Sequence, residues 1–212
     1  MSPRFGVLYV NNPKVACSTI KLTLQRAELG DLKYEPQTSV HDHLASPLLT
    51  APDIDLDAAL EQAKFTFSFV RNPYSRLISA YLNKIMVPQK NGRLREHAGF
   101  ERDYCPTFEE FALSVCTQDH AAMNPHWRPQ ALNLSTGRIS YDFIGKMERF
   151  DADWAEVARL TGLPDVASQS GARTQLWSTE KPTYSARSAS AVREAYSVDY
   201  ETFGFEDTVP KT

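Results

Sequence analysis

Twice along this chain a short apolar run gives way abruptly to a polar loop and then to a helix-forming stretch, and this repeated order limits the fold more than any other feature. The first run, Phe5 to Val10, stops at Asn11-Asn12. The second, Lys64 to Val70, alternates Phe65, Phe67 and Phe69 with Thr66, Ser68 and Val70 before meeting Arg71-Asn72-Pro73. Runs this short, rich in β-branched and aromatic residues, predict buried strands. Past the first loop, Ile20, Leu24 and Ala27 share a helical face and Gly30 supplies a stop. Past the second, Pro73 suits a first helical turn, and Leu77, Ile78, Tyr81, Leu82 and Ile85 make a broad apolar stripe. Strands alternating with helices predict an α/β domain with a central parallel sheet flanked by helices. In such sheets ligands sit beyond the carboxyl ends of the strands, which is where both loops fall.

Further on, Thr107 with Glu110 forms a capping box ahead of Phe108, Phe111 and Leu113. Tyr141 to Gly145 reads as a third strand, Asp151 to Leu160 as a helix ending at Gly162, and Ser188 to Tyr200 as a last helix. No repeat or linker divides the chain, so residues 1–212 read as one domain. A net charge of −3 gives no overall field for a polyanion and argues against nucleic acid as a partner. The apolar run at the N-terminus is too short to cross a membrane and lacks the flanks of a secretory signal. The expected location is therefore cytoplasmic, at most peripheral to a membrane. Cys17, Cys105 and Cys116 show no metal-binding spacing, and free thiols in a reduced compartment are favoured over a Cys105–Cys116 bridge.

The first loop, Pro13-Lys14-Val15-Ala16-Cys17-Ser18-Thr19, delivers the chain from a buried strand to a helix N-terminus, where free N–H groups favour an anion and Lys14 adds a positive charge. Ser18 and Thr19 suit either helix capping or phosphate contact. The lysine stands first and glycines are absent, so this is not the GxxxxGK[ST] loop of nucleotide triphosphatases, and magnesium-dependent hydrolysis is disfavoured. The second loop places Arg71 at a strand end with Ser75 and Ser79 one turn apart on the next helix. That set can grip a second phosphate, or Arg71 can pair with a surface carboxylate.

Together the two loops resemble the 5'-phosphosulfate loop and the 3'-phosphate motif of sulfotransferases. Pro13 to Ser18 is similar to the PKVACT form of the Golgi carbohydrate sulfotransferases that act on chondroitin and dermatan. Val70 to Tyr81 resembles their VR(D/E)PFxRLxSAY stretch, with Asn72 in place of the acid. The likeness continues through His126-Trp127-Arg128-Pro129-Gln130, through Tyr141 to Glu148, and into Tyr196 to Phe205, which is similar to a closing YxxDFxxFGY.

The resemblance implies a three-layer domain like that of the P-loop NTPases. It implies in-line transfer of a sulfuryl group from 3'-phosphoadenosine 5'-phosphosulfate (PAPS) to a hydroxyl of a carbohydrate or glycoconjugate, with adenosine 3',5'-bisphosphate (PAP) as product and no metal. Residues 13 to 19 would take the 5'-phosphosulfate, with Lys14 offsetting charge on the leaving oxygen, while Arg71 and Ser79 would hold the 3'-phosphate. A histidine suits the proton acceptor; His43 ranks first, then His41, then His126, each of which has a purely structural alternative. Trp127 offers a face for a sugar ring or belongs to the core. Acceptor choice would lie in loops such as Gln89 to Pro106 and Thr161 to Thr183. The rival readings are an ATP-dependent kinase and a nucleotide-binding regulator without activity.

Overall fold

The computed structural model of the chain describes residues 1–87, 92–165 and 182–209. Three short strands, β1 (Val7–Tyr9), β2 (Phe65–Val70) and β3 (Phe143–Lys146), form a parallel sheet in that order, with Val7 opposite Phe65 and Phe67 opposite Phe143. Every β2 residue after Phe65 is buried, as a central strand of a parallel sheet requires. β1 is shorter than the Phe5 to Val10 run predicted it, because Gly6 takes a left-handed conformation (φ 65°) just before it. β3 begins two residues after Tyr141.

The chain divides into two compact units. The first contains Met1–Val70 and the segment from Gly137 through α7 (Phe150–Thr161). It holds the sheet, α1 (Cys17–Leu29), α2 (Leu56–Gln62) and a core of Val7, Val15, Ile20, Leu24, Phe67, Phe69, Trp154 and Val157. As the sequence predicted, α1 buries Ile20, Leu24 and Ala27 and ends at Gly30 in a left-handed conformation, and α7 ends at Gly162 likewise. Trp154 of α7 lies over the β2 ring row, its indole centroid 6.2 Å from Phe67 and 6.4 Å from Phe69.

The second unit contains Arg71–Thr136 and the C-terminal segment. Here α3 (Pro73–Ala80) has Pro73 in its first turn, is capped by the Asn72 side chain accepting from Tyr74 N at 3.0 Å, and runs on through one π-helical turn, Tyr81–Ile85. The predicted stripe Leu77, Ile78, Tyr81, Leu82 and Ile85 is buried throughout, and α5 (Phe108–Cys116) opens on the Thr107–Glu110 capping box. Two expectations need correction. The last helix is two, α8 (Ala186–Ala195) and α9 (Ser197–Phe203), broken at Tyr196, whose φ of −107° and ψ of 20° leave the helical region. Within Gln89 to Pro106, α4 (Gly92–His97) forms where a loop was expected, and Arg95 is buried there with its guanidinium donating to Ile85 O. Residues 88–91, 166–181 and 210–212, which include much of the Thr161 to Thr183 expectation, lie outside the described residues.

Candidate active site

The loop after β1 is fastened to β2 at its first turn. Val10 N donates to Phe67 O at 3.0 Å, the Ser68 hydroxyl to Val10 O at 2.8 Å, and the buried Asn12 amide to Phe69 O at 3.0 Å. From there the chain turns sharply. Lys14 (φ 73°) and Ala16 (φ 60°) both occupy the left-handed region, where side-chain-bearing residues cost about 1–2 kcal/mol each. A Gly-rich phosphate loop reaches such conformations without strain; this loop holds them with Val15, fully buried, as an anchor in the core.

Ala16 is the N-cap of α1. It has no side chain with which to cap, and the first turn carries no acid. Ser18 and Thr19, which the sequence offered as caps, lie inside the helix instead. With no side-chain cap and no acid in its first turn, the α1 N-terminus has the polarity that suits an anion.

Ser18 faces a histidine. His41 Nε2 is 2.9 Å from Ser18 Oγ, and His41 Nδ1 is 3.3 Å from the Lys21 amine. Lys21 is half-buried, and its pKa is lowered by that burial, with the Cys17 sulfur opposing the shift. An ammonium donating to Nδ1 leaves the hydrogen of a neutral imidazole on Nε2, aimed at Ser18. His41 is thus tied to the first turns of α1 by both ring nitrogens. His43, two residues on, lines a cavity in the same unit together with His41, Lys21 and Gln25.

In the second unit Arg71 donates from Nε to Ser75 Oγ at 3.3 Å, and Ser75 in turn donates to Asn72 O at 3.1 Å. Ser79, one turn further along α3, is buried. The Arg71 backbone is clamped from both sides by one side chain: its N–H donates to Gln130 Oε1 at 2.9 Å, and its carbonyl accepts from Gln130 Nε2 at 2.7 Å. Gln130 is itself fixed by buried Asp199, which accepts from Gln130 N at 2.8 Å and from Ala131 N at 2.8 Å, at the start of α6 (Gln130–Asn133). Burial pushes the Asp199 carboxyl up, and the N–H groups of Gln130 and Ala131 and the Arg76 charge pull against it. Arg76, also buried, donates to Arg128 O and Pro125 O, both at 2.8 Å.

His126 has its Nδ1 2.7 Å from Asn124 Oδ1. Trp127 is fully buried, stands edge-on to Phe111 with centroids 5.7 Å apart, and donates to Gln118 Oε1 at 3.0 Å. A stacking face for sugar is corrected by that burial: the indole belongs to the core. Gln130 and Asp199 stood within the motifs the sequence singled out, yet their clamp on Arg71 needs a contact 59 residues apart that no local pattern announces. The three cysteines are free thiols, without a Cys105–Cys116 bridge.

Residues 1–206 match the sequence pattern of the sulfotransferase family. The chain belongs to that family. It is 33% identical over 171 residues to carbohydrate sulfotransferase 14 of Danio rerio, covering 74% of this chain and 46% of that protein. The Homo sapiens carbohydrate sulfotransferase 14 is 31% identical over 182 residues, 77% of this chain and 46% of its own. Carbohydrate sulfotransferase 11 of Danio rerio is 26% identical over 227 residues, 94% of this chain and 64% of its own. The chain thus spans about half the length of these two carbohydrate sulfotransferase 14 proteins. No solved structure gives a significant match. For a sulfotransferase, the α/β sheet with a strand-end loop at a helix N-terminus is the expected framework, and among the described residues no helix is long and apolar enough to cross a membrane.

Proposed function

We propose that this sulfotransferase moves a sulfuryl group from PAPS to a hydroxyl of a carbohydrate or glycoconjugate. The observation that carries the reading is the uncapped N-terminus of α1 behind Lys14 and Ala16, a loop bent into an anion cradle at a cost in strain and tied through Ser18 to a histidine. The carbohydrate class comes from the relatives, which are carbohydrate sulfotransferases.

Residues 13 to 19 hold the 5'-phosphosulfate, and Arg71 with Ser79 holds the 3'-phosphate. When bound, PAPS supplies an activated sulfuryl group. Lys14 offsets the charge that builds on the bridging oxygen as the sulfur–oxygen bond to the phosphate breaks and the bond to the acceptor oxygen forms. His43 takes the proton the acceptor hydroxyl gives up, so PAP and a sulfate ester leave with atoms and charge in balance. His41, engaged at both ring nitrogens, serves as a positioning residue that turns Ser18 toward the donor. His126, held by Asn124, shapes the loop before Gln130.

The test is transfer of labelled sulfate from PAPS to chondroitin and dermatan in the presence of chelator. Lys14→Ala is expected to lower turnover by about 10²–10³. His43→Ala should lower kcat with donor KM unchanged, and His41→Ala should raise donor KM. Donor binding without transfer to any hydroxyl acceptor would refute the enzymatic reading.

A further inference from the structure

Asp199 on α9 is fully buried, and the reaction assigned above makes no use of it. An interior carboxylate is costly, and neutral side chains of similar size often make a more stable core. Its contacts explain why it is there. Every side-chain partner it has among the described residues is an N–H donor: Gln130 N at 2.8 Å and Gln130 Nε2 at 3.2 Å on one oxygen, and Ala131 N at 2.8 Å on the other. The two main-chain bonds fix the start of α6, from which the Gln130 side chain springs.

The bond to Nε2 decides which way round the Gln130 amide sits. A side-chain amide has a donor at one end and an acceptor at the other, and the two ends have nearly the same shape. Gln130 Nε2 also donates to Arg71 O at 2.7 Å, while Oε1 accepts from Arg71 N at 2.9 Å. Turned over, Oε1 would face two acceptors, the Asp199 carboxylate and the Arg71 carbonyl, and Nε2 would face the Arg71 N–H. A carboxylate accepts more strongly than a neutral carbonyl, so Asp199 is the firmer of the two groups that hold Nε2 in place. Arg71, Gln130 and Asp199 all belong to the second unit.

We propose that Asp199 is a positioning residue for the donor. Through Gln130 it holds Arg71 where the guanidinium meets the 3'-phosphate, and so it sets how strongly the protein prefers an adenine nucleotide with a 3'-phosphate to one without it. The proposal rests on the reading of Arg71 as the ligand of that phosphate.

Calorimetric titration of the full chain with PAP and with adenosine 5'-monophosphate (AMP) in chelator tests it, since the two nucleotides differ only in the 3'-phosphate. Asp199→Asn offers Gln130 a donor in place of one acceptor oxygen and lets the amide turn over. It is expected to weaken PAP binding by about tenfold, the worth of one or two hydrogen bonds, and to leave AMP binding within about twofold. In an Arg71→Ala background the same change should alter PAP binding by less than about twofold, because its effect passes through Arg71. A residue that merely stabilised the fold would lower both nucleotides together and add its loss to that of Arg71→Ala. Should Asp199→Asn lose its native circular dichroism, Gln130→Met, which keeps both main-chain bonds to Asp199, must show the same selective loss. Equal losses for PAP and AMP, or a PAP preference that these variants leave untouched, would overturn the proposal and leave the donor site standing. A wild-type chain that binds PAP no better than AMP would sink the 3'-phosphate reading itself.

Discussion

Gln130 carries no charge, yet the placement of Arg71 depends on it. A guanidinium can hold a phosphate at two points only if its backbone is fixed, and Gln130 bonds both the N–H and the carbonyl of Arg71 while Asp199 fixes Gln130. Gln130→Ala is expected to weaken PAP binding by about tenfold while ATP binding, which has no 3'-phosphate to lose, changes little; the loss of two neutral hydrogen bonds to the Arg71 backbone sets that size. An equal loss for both nucleotides would show general unfolding of the loop rather than a clamp on Arg71. At Cys116, burial pushes the thiol up to about 12. Because the folded value lies above the ordinary one, the thiol's share of stability is whole below the unfolded value and drains as pH rises toward 12. The thiolate is also the form that alkylates. Iodoacetamide at mildly alkaline pH should therefore label exposed Cys105 and spare half-buried Cys116, read by peptide mass; comparable labelling of both would contradict the raised thiol.

At the scale of elements, strands and helices were legible wherever local pattern and tertiary demand agreed. The Phe65, Phe67, Phe69 alternation gave β2, the glycines at 30 and 162 ended α1 and α7, and the Thr107–Glu110 pair opened α5. The break between α8 and α9 was hidden because Ser188 to Tyr200 keeps a helical apolar spacing across it; the kink answers to the burial of Tyr196 and Asp199, a tertiary demand. Gly145 shows the same limit in β3. A Cβ there would stand 2.4 Å from the Phe69 ring, which is fully buried and cannot retreat. Gly145→Ala should cost about 1–3 kcal/mol of stability by overpacking, measured as a fall in urea midpoint at constant slope. An unchanged midpoint would mean the ring row of β2 and α7 packs more loosely than described.

For the whole molecule, the sequence disclosed the family because its motifs are local and keep their order along the chain. It ranked His43, His41 and His126 as proton acceptors but could not show the ring contacts of His41 with Ser18 and Lys21 or of His126 with Asn124. It could not disclose the pocket assembled from β1, α1 and the chain leading to α2. The net charge of −3 sets no field that would gather a polyanionic substrate, so recognition has to come from local groups such as Lys14, Lys21 and Arg71. The most direct measurement is calorimetric titration with PAP in chelator, beside ATP with magnesium and beside Arg71→Ala. The account predicts metal-free PAP binding that Arg71→Ala weakens by about 10-fold or more, as loss of a charged two-point contact implies. No PAP binding, with clear binding of ATP and magnesium, would contradict it.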